Sequence, residues 1–265
     1  MSDAPPEGTK QLGVSANLTR LRRFTPARIA LGRAGSGQLT ATALQFALDH
    51  ARARDAVHAA LDFNAIGRSL QAQGWSVAHV RSAASDRAEY LRRPDLGRRL
   101  SPTGRLAIDA KAKGSDIVIV AADGLSASAI ETNLLPLLDR VRPLLLARRL
   151  TIGPLVLVEQ GRVAIGDEIG ELLDAKLVAV LIGERPGLSA ADSLGAYITW
   201  RPQIGAPDSS RNCISNIRPA GLALGDAANQ ILELIEQAFA HATTGVRLNE
   251  LRSATPDARA LAGRT

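Results

Sequence analysis

Leu177-Val178-Ala179-Val180-Leu181-Ile182 runs straight into Gly183-Glu184-Arg185-Pro186-Gly187, and that join decides the fold. An unbroken apolar run with no polar alternation describes a strand covered on both faces, as the strands of a parallel sheet are. The glycine and proline that follow end the strand and begin a loop. Upstream lie two runs of the same kind, Ile117-Val118-Ile119-Val120 and Leu155-Val156-Leu157-Val158. Helix-compatible segments around 126 to 147 and 166 to 175 separate them, so strand and helix alternate as in βαβ units. A weaker strand, Ala196-Tyr197-Ile198-Thr199-Trp200, and an amphipathic helix from Ala227 to Ala242 complete a domain over 114–245. The expected class is α/β, a Rossmann-like parallel sheet with flanking helices.

Residues 18–113, upstream of this domain, carry mainly helical signals. Thr40-Ala41-Thr42-Ala43-Leu44 starts a helix that places Leu44, Ala47, Leu48 and Ala51 on one face. Beyond Ala51 that stripe breaks, and His50, Arg54 and His58 share a face at four-residue steps, either a solvated cationic face or a docking face for a partner subunit or an acidic group. No Cys or carboxylate completes a zinc-like set with these histidines, so metal binding is not expected. Residues 1–17 and 246–265 are polar and read as tails.

The chain has 265 residues, 46% of them hydrophobic, enough for one large core or two small ones. No run of eighteen uncharged apolar residues and no secretory leader is visible, so no membrane span and a cytoplasmic location are expected. The single cysteine, Cys213, fits a reducing compartment. A formal charge of +6 raises the question of nucleic acid, but arginines are spread along the chain and only 3% of residues are aromatic. That composition is poor in base-stacking platforms, and no nucleic-acid partner is expected.

In open parallel sheets ligands bind beyond the carboxyl ends of the strands. The three exits are Asp123-Gly124-Leu125-Ser126, Glu159-Gln160-Gly161-Arg162-Val163 and Gly183-Glu184-Arg185-Pro186-Gly187. Each holds glycine for close backbone approach and an acid to accept N–H groups. Ser126 lies between strand and helix, as in a nucleophile elbow, but Ser128 stands where the second glycine belongs and His241 falls in a helical pattern. The plainer reading makes Ser126 or Ser128 a helix cap. Gly32-Arg33-Ala34-Gly35-Ser36-Gly37 has the spacing G-x-x-G-x-G rather than that of a dinucleotide fingerprint, and reads as a turn. Cys213, in the loop-like Arg211-Asn212-Cys213-Ile214-Ser215-Asn216, has no histidine close in sequence and reads as a small buried hydrophobe.

Taken together, these exits resemble the small subunit of ethanolamine ammonia-lyase. The resemblance is carried by Gly161-Arg162-Val163, Asp167-Glu168-Ile169-Gly170-Glu171, Gly183-Glu184-Arg185-Pro186-Gly187-Leu188 and Cys213-Ile214-Ser215-Asn216-Ile217. Further upstream it includes Ala51-Arg52-Ala53-Arg54-Asp55-Ala56-Val57, Tyr90-Leu91-Arg92-Arg93-Pro94-Asp95-Leu96-Gly97-Arg98-Arg99-Leu100 and Asp123-Gly124-Leu125-Ser126. It spans about 18 to 245 in the expected order.

The resemblance implies one subunit of an adenosylcobalamin-dependent carbon-nitrogen lyase that converts ethanolamine to acetaldehyde and ammonia by radical chemistry. It implies a large-subunit partner, a β/α barrel carrying the substrate site, in a hetero-oligomer that is a dodecamer of six each. The corrinoid would lie between barrel mouth and small subunit, with Val163, Glu184 and Cys213 as this chain's cofactor-binding positions and no catalytic or metal-ligating residue here. Because His50, His58, His79 and His241 lack the setting of an Asp-x-His-x-x-Gly motif, base-on cobalamin is expected. A bacterial microcompartment within the cytoplasm is a further location the family suggests. A serine hydrolase built on Ser126 and a basic nucleic-acid module are the competing classes.

Overall fold

The computed structural model describes residues 20–25, 27–33 and 35–254. Expectations for residues 1–17 and for 255–265 lie outside the described residues. From residue 40 onward come α1 (Thr40–His58) and α2 (Phe63–Ala72), then β1 (Val77–Arg81), α3 (Arg87–Arg92) and α4 (Pro102–Asp109). The sheet-building half follows as β2 (Ile117–Ala122), α5 (Ala127–Ala147), β3 (Leu155–Glu159), α6 (Ile165–Leu172) and β4 (Leu177–Gly183). It closes with β5 (Leu194–Trp200), β6 (Arg211–Ile217), α7 (Leu224–His241) and α8 (Val246–Ala254).

One six-stranded sheet runs in the order β1-β3-β2-β4-β5-β6. The first four strands are mutually parallel; β5 pairs antiparallel to β4, and β6 antiparallel to β5. The apolar runs are continuous because both sheet faces are covered. Ile117, Ile119, Leu155, Leu157, Leu177 and Ala179 point into a core with α2, α5 and α7. Their neighbours Val118, Val120, Val156, Val158, Val178 and Val180 point into a second core with Ile108 of α4 and Ile165 and Ile169 of α6. Alternation is present in three dimensions but invisible as hydropathy, since both directions lead to oil rather than water.

Three differences from the sequence reading have one physical origin, the edge of the fold. Strand β1 comes from the region read as mainly helical; it is an edge strand whose His79 and Arg81 are exposed while Ala78 and Val80 are buried. Strand β6 occupies the stretch read as a loop, and its exposed Cys213, Ser215 and Asn216 alternate imperfectly with buried Ile214 and Ile217. Cys213 is therefore exposed on a strand, not a buried hydrophobe in a loop. Residues 246–254, read as the start of a tail, form α8, because Leu248 is fully buried and joins the core shared with α7.

At the end of the sheet where the parallel strands begin sit the tryptophans. Trp75 precedes β1 with the Arg142 guanidinium 4.7 Å from its ring centre. Trp200 pairs with Leu177, the first residue of β4, and meets Phe239 edge to face at 4.9 Å. No described helix is long and apolar enough to cross a membrane.

Candidate functional site

The exits of β2, β3 and β4 meet at the opposite end of the sheet. Gly183 ends β4 where no side chain fits: a Cβ there would lie 2.1 Å from Ser126 O and 2.5 Å from Asp123 O. Gly124, with a left-handed backbone (φ +56°), is as close from the other side, its hypothetical Cβ 2.2 Å from Gly183 O. Leu125 N donates to Gly183 O at 2.9 Å and fastens the two exits together.

Ser126 is fully buried and caps α5. Its Oγ accepts from Ala129 N at 3.2 Å and donates to Ala191 O at 2.7 Å. A hydroxyl committed in this way has no free role as a nucleophile, and His241 lies exposed at the end of α7. The helix-cap reading is the correct one. Gly32 and Gly35 take left-handed backbone angles, and 28–31 forms no strand of the sheet. Gly35 and Ser36 form a turn.

From β4 the chain passes to Glu184, half-buried beside β5. Its Oε2 accepts from the Ser193 hydroxyl and from Asn216 N at 3.1 Å, while Glu184 N donates to Ser193 O at 2.9 Å. The carboxylate is thus held through one oxygen by the residue that precedes β5 and by β6. Its Oε1 has no hydrogen-bond partner among the described residues. The loop beyond folds back through the Gly187–Ala190 bridge and is pinned to α5, where Asn133 Nδ2 donates to Asp192 O at 2.9 Å.

At the β3 exit Gln160 takes a left-handed backbone (φ 58°), and Gly161 O accepts from the Tyr90 hydroxyl at 2.9 Å. The Tyr90 ring lies between two guanidiniums, Arg162 at 4.4 Å and Arg87 at 4.9 Å from its centre. Burial pushes its phenol well above the ordinary range. The turn at Leu96–Arg98 packs onto the same exit: Arg162 N donates to Gly97 O at 2.7 Å. A Cβ on Gly97 would meet Arg162 Cγ and the Tyr90 ring at 2.8 Å.

Behind these loops Asp123 is buried. Desolvation pushes its carboxyl up to about 6, against the pull of the Arg87 guanidinium and the backbone amides of Gln160, Gly124 and Gly161. The Asp167-Glu168 pair on α6 also works inside the fold. Arg211 grips Asp167 with two bonds, 2.5 and 2.8 Å, and Glu168 accepts from Leu100 N at 2.8 Å and Arg105 at 2.6 Å.

Between the exits lies a cleft of about 410 Å³, whose lining includes Tyr90, Gly124, Arg162, Val163, Glu184 and Tyr197. Two of the three cofactor-binding positions named from the sequence, Val163 and Glu184, share this cleft. The third, Cys213, is one strand away on β6, opposite Tyr197 in register and with the Tyr197 hydroxyl against its sulfur. Although its surface is exposed, the thiol is pushed above the ordinary cysteine value by the protein packed around it and, in lesser part, by the Glu184 charge.

A larger hollow of about 650 Å³ lies between the start of α1 and residues 188–192, among Arg22, Arg28, Arg52 and Arg218. It contains none of the three positions. His50, Arg54 and His58 lie exposed on α1, outside the cleft. Among the described residues no group of three or more His, Cys, Asp and Glu is placed to hold a metal ion. Sequence reasoning left Arg87, Tyr90, Arg162 and Tyr197 without roles; Tyr90 and Arg162 lie in stretches that were singled out, but their meeting is a contact between residues 71 and more positions apart.

The family model described as "Ethanolamine ammonia-lyase light chain (EutC)" matches residues 15–249. A relative from Azotobacter vinelandii (strain DJ / ATCC BAA-1303), named "Ethanolamine ammonia-lyase small subunit", is 51% identical over 235 residues, covering 87% of each chain. One of the same name from Pseudomonas paraeruginosa (strain DSM 24068 / PA7) is 50% identical over 234 residues, 87% of this chain and 86% of its own. A third, from Pseudomonas syringae pv. tomato, is 48% identical over 255 residues, 94% and 89%. The sheet that carries the cleft, residues 77–217, lies wholly within the matched span, and the chain belongs to the ethanolamine ammonia-lyase light-chain (small-subunit) family.

Proposed function

We propose that this chain, together with a large subunit, forms an ethanolamine ammonia-lyase, and that its own part is to build one wall of the adenosylcobalamin site from the cleft at the strand exits. The observation that carries this reading is the state of Glu184. One carboxylate oxygen is held by Ser193 and Asn216 while the other has no partner among the described residues, so a fixed acceptor is available to an incoming N–H group. The donor set fits a corrinoid, whose rim carries neutral carboxamides rather than phosphate-like charge. Glu184 would accept from an amide, Val163 would pack and offer backbone groups, and Cys213 would extend the surface across β6. An open cleft of about 410 Å³ encloses only part of so large a cofactor, which calls for a second wall from another chain.

When bound, adenosylcobalamin supplies a carbon radical by homolysis of its cobalt-carbon bond, and the large subunit would hold the ethanolamine that yields acetaldehyde and ammonia. This chain orients and encloses. The cofactor would be base-on: His79 is stacked on Phe63 at 5.3 Å with Nε2 2.8 Å from Glu159, and none of His50, His58, His79 and His241 lines the cleft. Assembly as a dodecamer of six large and six small subunits, in the cytoplasm or a bacterial microcompartment, belongs to the same reading.

Co-expression with a large subunit, followed by an acetaldehyde assay with and without adenosylcobalamin, tests it. Turnover should need both chains and the cofactor; equal turnover without this chain would refute the role. Glu184→Ala should weaken cofactor retention more than it changes ethanolamine saturation, and the reverse pattern would remove Glu184 from the site. Electron paramagnetic resonance of the reduced, reconstituted complex should show no protein nitrogen on cobalt.

A further inference from the structure

Arg87, the first residue of α3, takes no part in the cleft lining but ties together two other segments, the end of α1 and the β2 exit. Its Nε donates to Val57 O near the end of α1 at 2.7 Å, and its Nη1 donates to Gly124 O at 2.8 Å. The same Nη1 lies 3.4 Å from Asp123 Oδ2, with the two side chains only 20% and 12% exposed. Gly124 and Gly183 are interlocked backbone to backbone, so a shift of the β2 exit cannot leave Gly183 where it is. The next residue is Glu184. Arg87 therefore reaches the Glu184 wall through two contacts, Arg87 to Gly124 and Gly124 to Gly183.

The ion pair at the root of this path is only half made. Arg87 Nη2 and Asp123 Oδ1 are both buried without a hydrogen-bond partner. A guanidinium that commonly takes a carboxylate with two parallel bonds here uses a single nitrogen at long distance. Buried donors and acceptors in native proteins are nearly always satisfied, so the unpartnered atoms, one on each member of this ion pair, leave hydrogen-bonding capacity unused at the β2 exit.

We propose that Arg87 is a positioning residue for the cofactor wall: by clamping Asp123-Gly124 it sets the height of Gly183-Glu184 over the cleft, and its unfinished bond to Asp123 is the travel through which the wall settles on a bound ligand. The inference rests on the cofactor-wall reading above. Coupling along such a path needs a measured linkage, because adjacency alone does not establish it.

Hydrogen-deuterium exchange on the full chain supplies a readout that needs neither cofactor nor turnover. In Arg87→Met, amides in 123–126 and in 183–187 should exchange faster together, with Arg87→Lys, which keeps charge but not the fork, in between. Faster exchange confined to 57–59 and 85–92 would overturn the proposal. On the complex with the large subunit, equilibrium dialysis with cyanocobalamin should give a Kd raised about tenfold in Arg87→Met, the lower end of what loss of an outer support costs a ligand group. The KM for ethanolamine should stay unchanged. An unchanged Kd, or an equal rise in both constants, would sink the idea. Should Arg87→Met fail to fold, Arg87→Lys carries the same comparison. If Glu184→Ala leaves the Kd unaltered, the cofactor-wall reading falls; if Glu184→Ala raises it and Arg87→Met does not, the clamp alone is wrong.

Discussion

Breaking the buried pair between α6 and β6 should be the most damaging polar change in the molecule. Arg211 and Asp167 are 3% and 2% exposed, and the guanidinium meets the carboxylate at 2.5 and 2.8 Å. The same guanidinium donates to Ala206 O at 3.0 Å and Thr199 Oγ1 at 3.3 Å. Burial pushes the Asp167 carboxyl above its ordinary value, and Arg211 is what opposes that shift. Asp167→Asn leaves the buried guanidinium with only the exposed Asp208 carboxylate, 3.5 Å from its Nε, as counter-charge, which costs about 3–5 kcal/mol. For a chain of this size each kcal/mol moves Tm by about 2–4 °C, so a fall of about 6–20 °C is expected. Urea unfolding followed by circular dichroism at neutral pH measures the loss from the midpoint and slope. The double variant Asp167→Leu with Arg211→Met, which removes both charges, should recover most of it, because a well-packed apolar pair can match a buried ion pair. A single-variant loss under about 1 kcal/mol, or a double variant as unstable as the sum of the singles, would refute the reasoning.

Two further predictions concern the strand exits. The Asp123 carboxyl is pushed up to about 6 in the folded chain, against about 3.9 in an unfolded one, so the folded state holds its proton more tightly. Its contribution, about 3 kcal/mol, is complete below about pH 4 and is lost as pH rises through about 6. Denaturation midpoints across pH 4 to 7 should show that slope, and Asp123→Asn should flatten it; an unaltered slope would assign it to other groups. Tyr90→Phe leaves the buried Gly161 carbonyl without its 2.9 Å donor. It should cost about 1–3 kcal/mol in the same unfolding assay, and a neutral result would mean that water replaces the hydroxyl.

How far the sequence revealed this molecule depended on burial. Strands β2, β3 and β4 are covered on both faces, so Val118, Val156 and Val178 and their neighbours stand out as unbroken apolar runs. Strands β1 and β6 are edges, where His79, Arg81, Ser215 and Asn216 meet solvent and dilute the pattern to that of helix or loop. The cleft divides in the same way. Val163 and Glu184 follow strands that could be read, and their loops were readable with them. Tyr90 and Tyr197 enter the site through packing between distant segments, where stacking of the Tyr90 ring on Arg162 or its bond to Gly161 O leaves no local periodicity. Leu248 was missed because one buried leucine in a polar stretch carries no repeat, although it is enough to dock α8.

The chain has two tryptophans and two tyrosines, and the fold segregates them. Trp75 and Trp200 lie where the parallel strands begin, packed on Arg142 and Phe239, while Tyr90 and Tyr197 both line the cleft where those strands end. Indole emission will therefore follow the melting of the core and be a poor witness to direct contact in the cleft, whereas the phenol bands of a difference absorbance spectrum, once resolved from the stronger indole bands, report on the cleft. A single titration recorded at both wavelengths can separate loss of fold from occupation of the wall, with no label added.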